Sequence, residues 1–156
     1  MVYEFLKLVH LLAVVVWVGG MVFGYFFLRP AAQFLEPALR VPLLHGVMQR
    51  FFAAVLVAAT LVLVSGMWMI ARLAKETVQA GLAFNMPLDW KIMAVLGLLM
   101  IIIFGHIRFS LFKRLGRATA ASDWAAGGVA LASIRTWTGI NLAIGVLIIA
   151  VTLLMT

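Results

Sequence analysis

The chain contains no cysteine, and only five of its 156 residues are acidic. The first absence excludes disulfides, thiolate metal sites, thioether-attached haem and cysteine nucleophiles. The second is as restrictive, because Glu4, Glu36, Glu76, Asp89 and Asp123 all fall near the ends of apolar runs or between them. No carboxylate is placed to pair with another for acid–base hydrolysis or to sit within a membrane segment as a proton carrier. A phosphate-cradling glycine loop and a Ser/His/Asp order are missing too, so any chemistry belongs to something bound. Histidine is scarce as well, with three residues: His10, His45 and His106.

What the chain has in abundance is apolar surface. Hydrophobic residues make up 66% of it, and the mean hydropathy is +1.18. A soluble domain of this size has no interior large enough to hide that much, which predicts an integral membrane protein. The net charge of +7 then reads as topology-setting lysine and arginine at helix ends, not as a nucleic-acid surface.

At about 20 residues per crossing, the length accommodates one domain, residues 1–156, with four transmembrane helices at about 2–28, 43–71, 90–112 and 129–155. The fold expected is an all-α four-helix bundle. The first run starts with Glu4 ahead of Lys7 and is too long for a leader's apolar core, so it reads as a retained helix. Arg29-Pro30 reads as its stop, and residues 30–42, with three prolines, as a surface loop. Residues 72–89 form the second connection, with a short amphipathic piece at 73–80. A basic stretch, 108–117, followed by an Ala/Gly-rich one, 118–128, forms the third.

Eight basic residues (Arg29, Arg40, Arg50, Arg108, Lys113, Arg114, Arg117, Arg135) flank the side of the first and third connections, against four (Lys7, Arg72, Lys75, Lys91) on the other. That excess predicts both termini in the periplasm. Folded back to back, the helices place His10, Met67, Trp68, Met69, Trp90, Lys91 and Met93 in the outer half. His45, Arg50, His106, Arg108 and Trp137 fall in the inner half.

A histidine inside a membrane helix is a functional candidate by default. On the first helix His10, Trp17, Met21 and Gly24 share a face, and Gly20 with Gly24 makes a G-x-x-x-G that admits a neighbouring helix. His10 with Met67 or Met69 suits Cu(I), which prefers soft thioethers, or the His/Met axial pair of an iron porphyrin. The bland alternatives are a histidine that bridges two helices and methionines that pack. His45 and His106 would form a second ligand pair if their helices are neighbours. On the third helix Lys91, Ala94, Val95, Leu98, Ile102, Gly105 and His106 share a face, read as the inward one. Lys91 there, and Arg50 and Arg108 opposite, are candidates to bind carboxylates, or else snorkel to the interface. On the fourth helix Trp137, Thr138, Asn141, Gly145 and Thr152 form a small, polar face directed into the bundle.

The sequence HLLAVVVWVGG from His10, Arg29-Pro30, MQRFF from Met48, Ser65-Gly66, Trp90-Lys91 and Gly105-His106 together resemble the CopD and HemJ families of bacterial membrane proteins. The resemblance covers three of the four helices. The HemJ resemblance implies a four-helix, haem-b-binding oxidase of protoporphyrinogen IX, in which His10, Lys91 and His106 are similar in placement to the family's histidines and lysine. The CopD resemblance implies copper uptake or resistance, in which His10 and the outer methionines would serve.

The leading expectation is therefore a haem-b redox protein in a bacterial inner membrane, with Lys91 and His10 catalytic. Cofactor contacts are expected from His10, His106, His45, Lys91, Arg50 and Trp17, and an unknown redox partner and a porphyrin substrate are implied. His10, His106, Met67 and Met69 are the candidate metal ligands. The alternative is a copper-binding protein without catalysis that uses His10 with Met67, Met69 or Met93 and is indifferent to His106, and the third reading is a structural bundle without a cofactor. A homodimer through a small-residue face is expected in each case.

Overall fold

The computed structural model describes residues 1–155, and no strand occurs among them. Four helices, each long and apolar enough to cross a membrane, run antiparallel to their chain neighbours: α1 (Val2–Ala32), α2 (Pro37–Gln79), α3 (Leu88–Ala120) and α4 (Trp124–Leu154). The chain is a multi-pass membrane protein. Its outer surface is clad in residues such as Leu11, Leu12 and Val15 on α1 and Val57 and Val64 on α2, each half exposed or more. Lipid, not water, is the solvent such a face requires.

The helices are longer and the connections shorter than the sequence pattern predicts. Arg29-Pro30 does not stop α1. A π-helical turn over Gly24–Leu28 precedes it, with the Arg29 N–H bonded five residues back to the Gly24 carbonyl. The wider turn carries one extra residue, and a new α-helical turn, Arg29–Ala32, begins with Pro30 in its first positions. Proline fits there because its missing N–H would have no partner in a first turn anyway. Pro37 opens α2 in the same way, and Pro42 lies so near the start that it does not break the helix. The loop expected over residues 30–42 is therefore mostly helical, with a turn left only at residues 33–36.

At 43 residues α2 is about 65 Å long, twice the apolar thickness of a bilayer. Its extension beyond Ala71 is continuous, not a separate amphipathic piece. There Arg72 and Glu76 pair at 2.8 Å across one turn. Gly81, at φ +75, ends it: the Leu82 N–H reaches the Thr77 carbonyl and the Gly81 N–H the Val78 carbonyl, a left-handed stop that suits glycine.

The stretch expected as a basic connection, 108–117, is also helical. A second π turn, Ile107–Leu111, leads into Phe112–Ala120. There Lys113, Arg114 and Arg117 are exposed while Phe112, Leu115 and Ala118 are buried. Hydropathy averaged along the chain hides such a pattern, whereas its helical period reveals it. The turn to α4 is three residues long. Ser122, at φ 52, takes the left-handed position, and the Asp123 carboxylate accepts the Ala126 N–H at 3.0 Å to cap α4.

α1 packs along α2 and against α4, and α3 packs along α4. The backbones of α2 and α3 come together chiefly through Phe112–Ala120, at the end of the bundle away from the two termini (the inner end), the terminus-bearing end being the outer one. Burial follows that asymmetry. Val41, Val55, Leu115, Ile134 and Asn141 are the most enclosed side chains, and none lies in the outer third. Beyond Ala59 on α2 only Ser65 and Met69 are buried, and α3 has no buried residue before Met100.

Candidate functional site

In the outer half a polar contact joins two helices. His10 of α1 meets Ser65 of α2, with Nδ1 3.0 Å from the Ser65 Oγ. The Ser65 hydroxyl has one proton, which it donates to the Leu61 carbonyl at 2.5 Å; Val62 O is a second acceptor at 3.3 Å. With that proton on Leu61, a lone pair of the hydroxyl faces the imidazole, the arrangement that matches an Nδ1–H tautomer. In that tautomer Nε2 carries the ring's lone pair, and the Val62 carbonyl is a second backbone group beside the imidazole. Gly66 makes the close approach possible, since a Cβ there would come within 3.4 Å of His10 Cε1. Ser65 thus completes the arrangement. The sequence offered Ser65-Gly66 only as part of a resemblance, but a small hydroxyl residue beside glycine in an apolar helix is itself a packing signal.

Met69 lies one turn beyond Ser65 on the same face and is buried, whereas Met67 is 63% exposed and points elsewhere. Of these two methionines, only Met69 shares the seam of His10. Trp17, on the His10 face of α1, is core: it is buried edge to face with Phe104, their ring centroids 5.9 Å apart. Gly20 faces α2 and makes room for the Phe51 ring inside the same chain.

The expectations for α3 are corrected. The face that carries Lys91, Val95, Leu98, Ile102 and His106 is the exposed one, and the buried face is Met100, Ile103, Phe104 and Ile107. Both faces are apolar, so composition could not tell them apart; packing against α4 and the inner end of α2 decided it. Lys91 does not point into the bundle. It is exposed and donates to Asn85 Oδ1 at 3.2 Å. His106 is likewise outside the bundle, set against the edge of Trp137 at 5.2 Å. Trp137, at 38% exposure, does not turn inward with Asn141 and Gly145 as the small polar face of α4 predicts.

His45 and His106 are not paired. His45 is stacked on Phe112 at 5.0 Å and 12°, on the buried side of α3, with its Nε2 against Gly116. His106 lies on the other side of that helix. Arg50 is exposed, and Arg108 is spread over the rings of Phe109 and Phe112. No cluster of three or more His, Asp or Glu side chains fit to hold a metal occurs among the described residues.

A cavity lies in the inner half, between the π turn of α1, the first turns of α2, and α4. It has a volume of about 150 Å³, and its walls are apolar apart from Tyr25, Arg29, Arg135 and Thr138. A shallower hollow separates Leu111 and Arg114 from Ala130 and Ser133. No histidine lines either one.

The family model of copper resistance protein D, CopD, matches residues 45–155. No curated protein and no solved structure matches the chain. The match takes in α4, which the sequence resemblance left out, and begins past α1, which carried most of that resemblance. The chain belongs to the CopD family.

Proposed function

We propose that this CopD-family protein handles copper inside the membrane and takes Cu(I) as its substrate at the outer end of the α1–α2 seam. The nitrogen donor is His10 Nε2, and the sulfur donor is the Met69 thioether one turn along. The observation that carries this reading is the Ser65 hydroxyl committed to the Leu61 carbonyl. It supports a proton on Nδ1 and a lone pair on Nε2, the role an outer hydrogen bond plays for metal-ligating histidines generally. An imidazole and a thioether form a soft, neutral donor set suited to Cu(I). Without carboxylate or thiolate the set holds the ion loosely, which fits a cargo to be passed on.

A b-type haem finds less support. It needs an axial histidine beside a cavity, and the lining of the two cavities contains none. Lys91 and Arg50, the residues expected to hold propionates, and His106, the other haem ligand expected, are all exposed.

The test is competition for Cu(I) between the detergent-purified protein and a chromophoric chelator. The expected result is near-stoichiometric Cu(I) in the native chain, with affinity about tenfold weaker in His10→Ala and in Met69→Leu, the loss of one ligand. His106→Ala and Met67→Leu should behave as the native chain. Failure of the native chain to retain Cu(I), or equal losses in all four variants, would overturn the reading. A Soret band that sharpens with dithionite would put haem in its place.

A further inference from the structure

The inner cavity has no part in the copper reading, yet it contains the least satisfied charge in the molecule. Arg29 Nη1 is fully buried and has no hydrogen-bond partner. Arg135 lines the same cavity and carries the same charge, and Arg40 stands near the start of α2. No acidic side chain lines the cavity, and Arg72–Glu76, at the far end of α2, is the only ion pair among the described residues. Arg40 is engaged weakly, through Nη1 to the Gln33 carbonyl at 3.4 Å. Arg135 is held in place over the Tyr25 ring at 5.3 Å, and Tyr25 in turn lies against Gly139. Two like charges beside an apolar cavity with no counter-charge are costly, and a bound anion is what would offset them.

The rest of the cavity says what kind of anion. Met21, Leu28, Leu44, Val47, Met48 and Ile134 make an apolar wall, and the cavity is half-open. The ligand therefore has an apolar body and one anionic head. Guanidinium forks match phosphate oxygens two at a time. The π turn over Gly24–Leu28 belongs to the same design: its extra residue shifts the register by one position just before Arg29.

We infer that the cleft between α1, α2 and α4 is a binding site for an anionic phospholipid, with Arg29 and Arg135 gripping the phosphate and the apolar wall seating an acyl chain. The site is independent of the copper reading, and its test needs no metal.

The full chain, purified in mild detergent and stripped of lipid, is titrated with phosphatidylglycerol, with phosphatidylcholine of the same chains, and with inorganic phosphate. Thermal unfolding and native mass spectrometry provide the readouts. Phosphatidylglycerol should raise the unfolding midpoint by several degrees and stay bound; phosphatidylcholine, whose choline cancels the charge, should do neither. Retention of phosphatidylglycerol should fall roughly tenfold in Arg135→Gln and in Arg29→Gln, while Lys113→Gln and Arg117→Gln, exposed basic residues outside the cavity, keep it. Because Arg29 is partly buried and its variant can fail to fold, Arg135→Gln, on an exposed side chain, decides. Equal responses to the two lipids, or unchanged retention in Arg135→Gln, would refute the site. A midpoint shift reproduced by inorganic phosphate alone would refute the lipid and leave a free-anion site.

Discussion

The outer and inner halves of the bundle solve different problems. In the inner half the four helices converge, and Val41, Leu115 and Ile134 are almost wholly enclosed. Rings fill that space edge to face, Phe52 against Phe104 at 5.9 Å and against Phe112 at 5.3 Å. In the outer half α2 and α3 stand apart, and a polar bridge, His10–Ser65, joins α1 to α2. The tight half provides stability and lies next to the arginine-lined cleft. The open half holds a histidine in a seam that two small residues, Ser65 and Gly66, make narrow. A binding group has to remain accessible, and access is easiest where packing is sparse.

That contrast can be broken first by truncating matched leucines. Leu115→Ala, at a site with no exposure, should cost about 2–5 kcal/mol. Leu61→Ala, at 42% exposure in the outer half, should stay within about 0.5 kcal/mol. Denaturation in detergent compares the two, and equal losses would mean that the halves are equally packed. A smaller effect is expected on adding bulk to the tight half. A Cβ at Gly127 would stand 2.8 Å from Val41 Cγ1, so Gly127→Val should destabilise by about 1–3 kcal/mol. Combining it with Val41→Ala should recover part of that, and no recovery would mean that the strain lies elsewhere.

The smallest change is expected in the outer half. Ser65→Ala removes the acceptor for His10 Nδ1, at about 1 kcal/mol. The more telling readout is nitrogen NMR of His10, which should pass from a single Nδ1–H tautomer to a mixture. A single, unchanged tautomer would show that Ser65 does not set it.

Much of this protein is written in its sequence. Four apolar runs too long for a soluble interior dictate four crossings, because backbone polar groups in lipid must be satisfied within helices. The depth of each candidate follows from counting at 1.5 Å per residue, so His10 falls in the same half as Ser65, and His45 in the same half as Phe112. The scarcity of acids and the lack of cysteine limit the chemistry before any fold is known. Prolines misled, because Pro30, Pro37 and Pro42 all sit where early helical turns or a preceding π turn accommodate them.

Tertiary structure decided which side of each helix faces the others. On α3 both faces are apolar, so hydrophobicity carries no sign, and only the approach of α4 and of α2 turned Met100 and Phe104 inward and left Lys91 and His106 outside. It also decided the partners of single polar atoms: Ser65 for His10, and none within hydrogen-bonding distance for the buried nitrogen of Arg29. Position along a helix is a local quantity that the chain fixes by itself. Azimuth, in a membrane where lipid and protein are equally apolar, is fixed only by the neighbouring helices.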